Sequence, residues 1–415
     1  MLNATVQAPE YVRAIQDELW KDSERWSNWM TEFMVNPADP PMAQTPKDTV
    51  WRRGKITLNR YRPQTDSLHP LPYLMVPWLG ISRPYILDML PGHSMVEYLV
   101  QQGHDLYMLD WGEIAEEDKD LGLEDVVFKI LPRAIDEILA LSGADHINLN
   151  GFCLGGVISN CYLALHPDAP VKNYISIVTP VDFDQGGLFK VWLGHDEFPV
   201  DLIVEHFGGI PPHLMGVGFK MLRPIGDMTA YSGLWMNMNK KDYIRAFKAM
   251  NHWANDFVGM PGRFFNQLQK EFYFENKWLK GDLRLKGQRV NLKHIRQPMF
   301  VAAASKDHIV PPRAAQALMD AVSSTDKEYV ELPGGHISVF SGRQANKILW
   351  PRLHAWVLAH SGHKAGPDPD RHPDRHPDRH KDATQVNTSN AAQPDVAPTP
   401  QSPRARRRRK STPSS

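Results

Sequence analysis

One run constrains this chain more than any other: His146-Ile-Asn-Leu-Asn-Gly151-Phe152-Cys153-Leu154-Gly155-Gly156. An apolar stretch, read as a strand over residues 146–150, enters Gly-x-Cys-x-Gly and emerges into a helical pattern over residues 155–166. A turn this tight strains the backbone, so glycines must flank it where strand and helix crowd together. It presents one side chain at the top of a sheet, beside a helix N-terminus whose partial positive charge favours a thiolate. Cys153 is therefore the candidate nucleophile. The amide of Leu154 is the first candidate donor to a developing oxyanion.

The surrounding pattern says what kind of sheet carries the turn. Strands are expected at Tyr73–Val76 and over residues 105–109 and 174–178, with helices over residues 94–102 and 123–141 between them. Strands separated by helices of this length form βαβ units and a mostly parallel sheet. The rhythm spans residues 50–184 and lapses over residues 185–291, which are rich in Met, Trp and Phe and punctuated by Pro211, Pro212, Pro224 and Pro261. It resumes over residues 292–360, with strands at 299–303 and 328–332 and helices at 312–322 and 348–359. The expected architecture is an α/β-hydrolase fold whose sheet is interrupted by a helical cap. Residues 1–49 read as an N-terminal helical segment whose stripe of Leu19, Trp20, Trp26, Trp29, Met30 and Phe33 packs on the body.

A thiol at such a turn needs a base, and the order in this fold is nucleophile, acid, histidine. Asp307 follows the strand at 299–303, and His336 follows the strand at 328–332. Both sit in loops at strand C-termini. Asp182 is the rival acid and His308 the rival base; the loop positions favour Asp307 and His336. A second oxyanion donor should come from the loop after Tyr73–Val76, where Gly80 lets an amide turn inward and Ile81 is the candidate. Cys161, two helical turns past the elbow, reads as a packing residue, and His93, His104 and His166 as surface or satisfied residues. No metal site and no cofactor are expected.

Bulk properties exclude other classes. Lys plus Arg equals Asp plus Glu at 47 each, so no net field steers a polyanion, and no specific nucleic acid is expected. Two cysteines on one helix suggest no disulfide framework. No basic segment followed by an apolar stretch opens the chain, and no apolar run is long enough to cross a bilayer, so a cytoplasmic location is expected. Residues 361–415 carry Pro-Asp-Arg-His three times in tandem and a basic run from Arg406 to Lys410. This composition cannot build a core, and a disordered tail is expected.

The blocks Arg83-Pro84-Tyr85-Ile86-Leu87-Asp88, Gln102-Gly103-His104-Asp105-Leu106-Tyr107, Leu109-Asp110-Trp111-Gly112, the elbow, Val178-Thr179-Pro180-Val181-Asp182-Phe183 and Asp307-His308-Ile309-Val310-Pro311 occur in this order. From about Pro70 to Leu358 the chain resembles the catalytic subunit of polyhydroxyalkanoate synthases, especially the short class III type. The resemblance implies an acyltransferase that polymerises (R)-3-hydroxyacyl-CoA and releases CoA. Cys153 would carry the acyl group, His336 would be its base, and Asp307 would assist the incoming hydroxyl. A growing polyester chain, a granule surface, a second synthase subunit and a homodimer are the partners to expect. Two features depart from class III members: the tail is additional, and Leu154 stands where glutamine often follows the cysteine. A cysteine thioesterase of the same fold and a non-catalytic granule scaffold are the competing readings.

Overall fold

Eight short stretches of extended chain assemble into one sheet, and their order explains where the reactive residues gather. The computed structural model describes residues 10–362; the expected tail and its repeats lie outside the described residues. The strands are β1 (Lys47–Arg53), β2 (Ile56–Tyr61), β3 (Tyr73–Val76), β4 (Leu106–Asp110), β5 (Ile147–Phe152), β6 (Val171–Ile177), β7 (Met299–Ala304) and β8 (Lys327–Leu332). They lie side by side in the order β1-β2-β4-β3-β5-β6-β7-β8. The pairs β1–β2 and β2–β4 are antiparallel. Every pair from β4 to β8 is parallel.

The sequence pattern accounts for this arrangement. β3, β5 and β7 are buried at every position, as expected for strands covered on both faces by helices. Connections from β3 run to one side and those from β5 to the other, so a crevice opens beyond the C-terminal ends of these neighbours. The antiparallel β1–β2 hairpin was not among the expected strands. β1 is an edge strand with five of its seven residues exposed, and such strands lack the apolar run that marks a buried one.

The N-terminal helix α1 (Glu10–Trp29) does not pack its whole aromatic stripe. Only its C-terminal end docks: Trp26 meets Trp235 edge-on at 5.1 Å, and Asn28 donates to the Met238 carbonyl at 2.9 Å. Leu19 and Trp20 remain about two-thirds exposed. The segment stops short of the sheet because it rests on helices inserted between β6 and β7.

The elbow feeds α2 (Leu154–Leu165), which is buried along nearly its whole length. After β6 the chain forms Gly187–Leu193, Val200–Phe207, Pro212–Leu222, Gly226–Met236 and α3 (Lys241–Asn255) before returning to β7. Buried Lys248 of α3 donates to the carbonyls of Glu32 and Asn36, both at 2.8 Å, fastening the N-terminal segment to these helices. The closing helix α4 (Trp350–His360) packs its buried Trp350, Leu353 and Val357 onto the sheet. Among the described residues no helix is long and apolar enough to cross a membrane.

Candidate active site

The turn between β5 and α2 is as strained as its sequence implies. Cys153 has φ 51° and ψ −121°, a conformation that costs a non-glycine residue about 1–3 kcal/mol. The surrounding contacts hold it there. The Cys153 amide donates to the Ile177 carbonyl at 3.0 Å, and its carbonyl accepts from Gly156 at 2.9 Å. A Cβ on Gly155 would lie 2.0 Å from the Val76 carbonyl oxygen, and one on Gly156 would lie 1.8 Å from Thr179 Oγ1. Backbone atoms make glycine obligatory at position 155, whereas at position 156 the clash is with a side chain that must shift to admit a Cβ.

The loops after β7 and β8 converge on this turn. His336 Nδ1 lies 2.7 Å from Asp307 Oδ2, with both side chains buried. The other oxygen of Asp307 accepts the amides of Ile309 and Val310, each at 2.8 Å. Three donors thus hold one carboxylate and fix the plane of the imidazole. The opposite edge of His336 interacts with Cys153. Burial pulls the imidazole pKa down, but the charges of Asp307 and Cys153 and hydrogen bonds to both outweigh it and push it up to about 10.

The rival groups lie elsewhere or play other parts. Asp182 accepts from the Asp184 amide and from Asn276 Nδ2, at 3.1 and 3.0 Å. His308 lines the same cavity as Cys153, but it is His336 that binds Asp307. Cys161 is wholly buried, which pushes its thiol well up and leaves it inert. His93, read from sequence as a surface or satisfied residue, also lines the cavity; the turn before Met95–Gln101 brings it there.

The loop after β3 contributes a second strained residue. Ile81 has φ 74°, an outlier for a β-branched side chain. Next to it, a Cβ on Gly80 would lie 2.7 Å from the Gly259 carbonyl oxygen. Ile81 and Ser82 pair with Val258 and Phe257, so the inserted helices are tied to this loop by backbone hydrogen bonding. Ile81, Leu154, Cys153 and His336 all line one cavity of about 260 Å³. The inserted segment supplies most of its apolar roof, including Phe189, Met215, Phe219, Trp253 and Met260. Tyr273 joins them, close enough to Cys153 that the thiol's charge, after burial, helps raise its phenol. Nothing in the sequence pattern of residues 268–274 marks Tyr273; only folding the insertion over the elbow brings it in.

Chemically, the arrangement offers a thiol at a helix N-terminus, an imidazole locked to a carboxylate and an apolar chamber. Comparison with known proteins shows what the chain as a whole is similar to. Residues 86–342, more than half of the chain, match the family model described as alpha/beta hydrolase fold. Residues 17–99 match the model of the poly-beta-hydroxybutyrate polymerase (PhaC) N-terminus. The poly(3-hydroxyalkanoate) polymerase subunit PhaC of Allochromatium vinosum is 34% identical over 82% of this chain and 97% of its own.

The chain belongs to the poly(3-hydroxyalkanoate) polymerase family.

The subunit of the same name from Haloferax mediterranei is 31% identical over 79% of this chain and 67% of its own. That of Synechocystis is 32% identical over 78% and 87%. The chain is thus an enzyme of a polyester-forming family built on the α/β-hydrolase fold.

Proposed function

We propose that this chain polymerises (R)-3-hydroxyacyl-CoA through a covalent acyl-Cys153 intermediate. The observation that carries the reading is His336 held between Asp307 and Cys153 beneath an apolar roof. Sulfur attacks the thioester carbonyl, the carbon–sulfur bond to CoA breaks, and the proton on His336 passes to the departing thiolate. Acylation removes the negative charge that helped hold His336 protonated, so the imidazole becomes neutral and able to act as a base.

The 3-hydroxyl of the next monomer gives its proton to His336 and attacks the acyl-cysteine. An ester forms, the bond to Sγ breaks, and the lengthened chain now ends in a CoA thioester. Cys153 then attacks that thioester, and His336 returns its proton to the departing CoA. Each cycle makes one ester and releases one CoA. Asp307 keeps the imidazole oriented throughout, and the amides of Leu154 and Ile81 face the oxyanion in both attacks. The roof excludes water, which would hydrolyse the intermediate to free acid. The exposed half of α1, bearing Leu19 and Trp20, is the surface on which a polyester granule or a second subunit would rest.

The test is to incubate the protein with 3-hydroxybutyryl-CoA, alone and with a class III partner subunit, while following CoA, polymer and free acid together. Polymer that disappears in Cys153→Ala is expected. Free acid without polymer would make the chain a hydrolase, and no CoA release in either condition would leave only a scaffold.

A further inference from the structure

Three histidines far apart in sequence meet at the end of the sheet opposite Cys153. His69 lies in the loop before β3, His104 just before β4, and His354 on α4. One ring nitrogen from each lies within 4.8 Å of the other two, and the cluster contains no carboxylate. His104 is 1% exposed, with Nε2 2.9 Å from His354 Nδ1. Its other nitrogen, Nδ1, has no hydrogen-bond partner.

The surroundings set the tautomer of His69. Its Nε2 lies 2.8 Å from the Gln102 carbonyl oxygen, which can only accept, so Nε2 carries the hydrogen. The lone pair of the neutral ring is then on Nδ1. A ring N–H given to a backbone carbonyl, with the other nitrogen left as a donor of electrons, is how metal-binding histidines are usually held. The backbone reinforces this placement, since the His69 amide donates to the Gly103 carbonyl at 2.9 Å. Gly103 has φ 85°, and a Cβ there would lie 3.2 Å from the Ser67 carbonyl and 3.5 Å from His69 Nε2. The glycine allows the two loops to approach this closely.

We infer that His69, His104 and His354 form a binding site for a divalent first-row transition-metal ion, with Zn²⁺ the best match to three neutral imidazoles. A Zn–N bond of about 2.0–2.1 Å requires the three nitrogens to draw together, and the His104–His354 hydrogen bond to give way to two metal bonds. Both rings then carry their protons on the outer nitrogens. Three protein ligands leave a fourth position for water. The site clamps α4 to the loops before β3 and β4 and takes no part in acyl transfer.

The test uses the full chain carrying Cys153→Ala, so that the reactive thiol cannot compete for metal. This parent is compared with the same chain bearing His69→Gln or His354→Gln, two partly exposed positions where substitution leaves the core intact. Circular dichroism checks that each is folded. After chelator treatment, Zn²⁺ alone is titrated calorimetrically, and Co²⁺ alone is followed in the visible spectrum. The parent should bind one equivalent that either variant loses or binds at least tenfold more weakly, with a Zn²⁺-dependent rise in melting temperature that the variants lack. The Co²⁺ complex should show ligand-field bands without a thiolate charge-transfer band. Equal stoichiometry, affinity and melting behaviour in all three chains would overturn the proposal and leave a hydrogen-bonded histidine triad only.

Discussion

Replacing Asp307 by Asn changes one atom in a buried network, and its consequences can be worked out from the structure. The asparagine carbonyl can still accept from Ile309 and Val310, so the loop should keep its shape. The amide nitrogen then faces His336 Nδ1 where a carboxylate oxygen stood at 2.7 Å. A donor there forces Nδ1 to accept, which fixes the wrong tautomer for taking a proton on the Cys153 side. The acyl-transfer rate should fall on the order of 10⁴-fold. Stability should change with a defined pH signature. Each pKa unit corresponds to about 1.4 kcal/mol, so the rise of His336 from 6.5 to about 10 represents on the order of 5 kcal/mol, shared between Asp307 and Cys153. Losing Asp307, the largest of the causes that raise this pKa, should cost on the order of a few kcal/mol. Because the folded pKa lies above the unfolded one, this stabilisation is fully present below pH 6.5 and disappears as the pH rises through about 10. Urea unfolding of wild type and Asp307→Asn should therefore show a gap that is largest near pH 6 and narrows steadily toward pH 10. A gap that is constant, or that widens with pH, would refute the reasoning.

Other perturbations read different parts of the structure. Gly155→Ala should be more damaging than Gly156→Ala, because its Cβ meets the backbone oxygen of Val76 whereas Gly156 meets the side chain of Thr179; thermal melts should rank them so, with Gly156→Ala losing roughly 1–3 kcal/mol. Iodoacetamide should label Cys153 and leave Cys161 untouched in the native protein, as read by peptide mass mapping, since burial holds the Cys161 thiol protonated. Trp29→Ala should destabilise the protein by roughly 1–3 kcal/mol, because Trp29 packs with Phe33 against the cluster around Leu234 and Phe247. Trp20→Ala should leave the melting temperature within about 1 °C while weakening attachment to polyester particles in a sedimentation assay, because that side chain faces solvent.

Much of the frame is legible in the sequence. β3 was expected where it is found, and the strands ending at the reactive loops differ from expectation by one or two residues at their ends, because buried parallel strands are short apolar runs bounded by breakers. The β1–β2 hairpin escaped notice because Lys47–Arg53 is largely solvated and lacks the alternation that marks a half-buried strand. Residue types and chain order brought Cys153, Asp307 and His336 forward as candidates, but not the 2.7 Å contact or the two backbone amides that hold Asp307. Those depend on how the loops after β7 and β8 close. Tyr273 and His93 were illegible for a related reason: each reaches the cavity only once the inserted helices or a neighbouring turn has folded over the elbow. The same holds for His69, His104 and His354, whose separation in sequence conceals their meeting. The N-terminal stripe shows the opposite limit, since helical periodicity identified an apolar face without showing that only half of it finds a partner.

The central claim is that the acyl group passes through Cys153, and trapping it there is the most direct measurement. The protein is mixed for milliseconds with a limiting amount of 3-hydroxybutyryl-CoA, quenched in acid and digested. A 3-hydroxybutyryl thioester is expected on the peptide containing Cys153, removed by hydroxylamine and absent from Cys153→Ala. An adduct on another residue, or polymer made by Cys153→Ala, would contradict it.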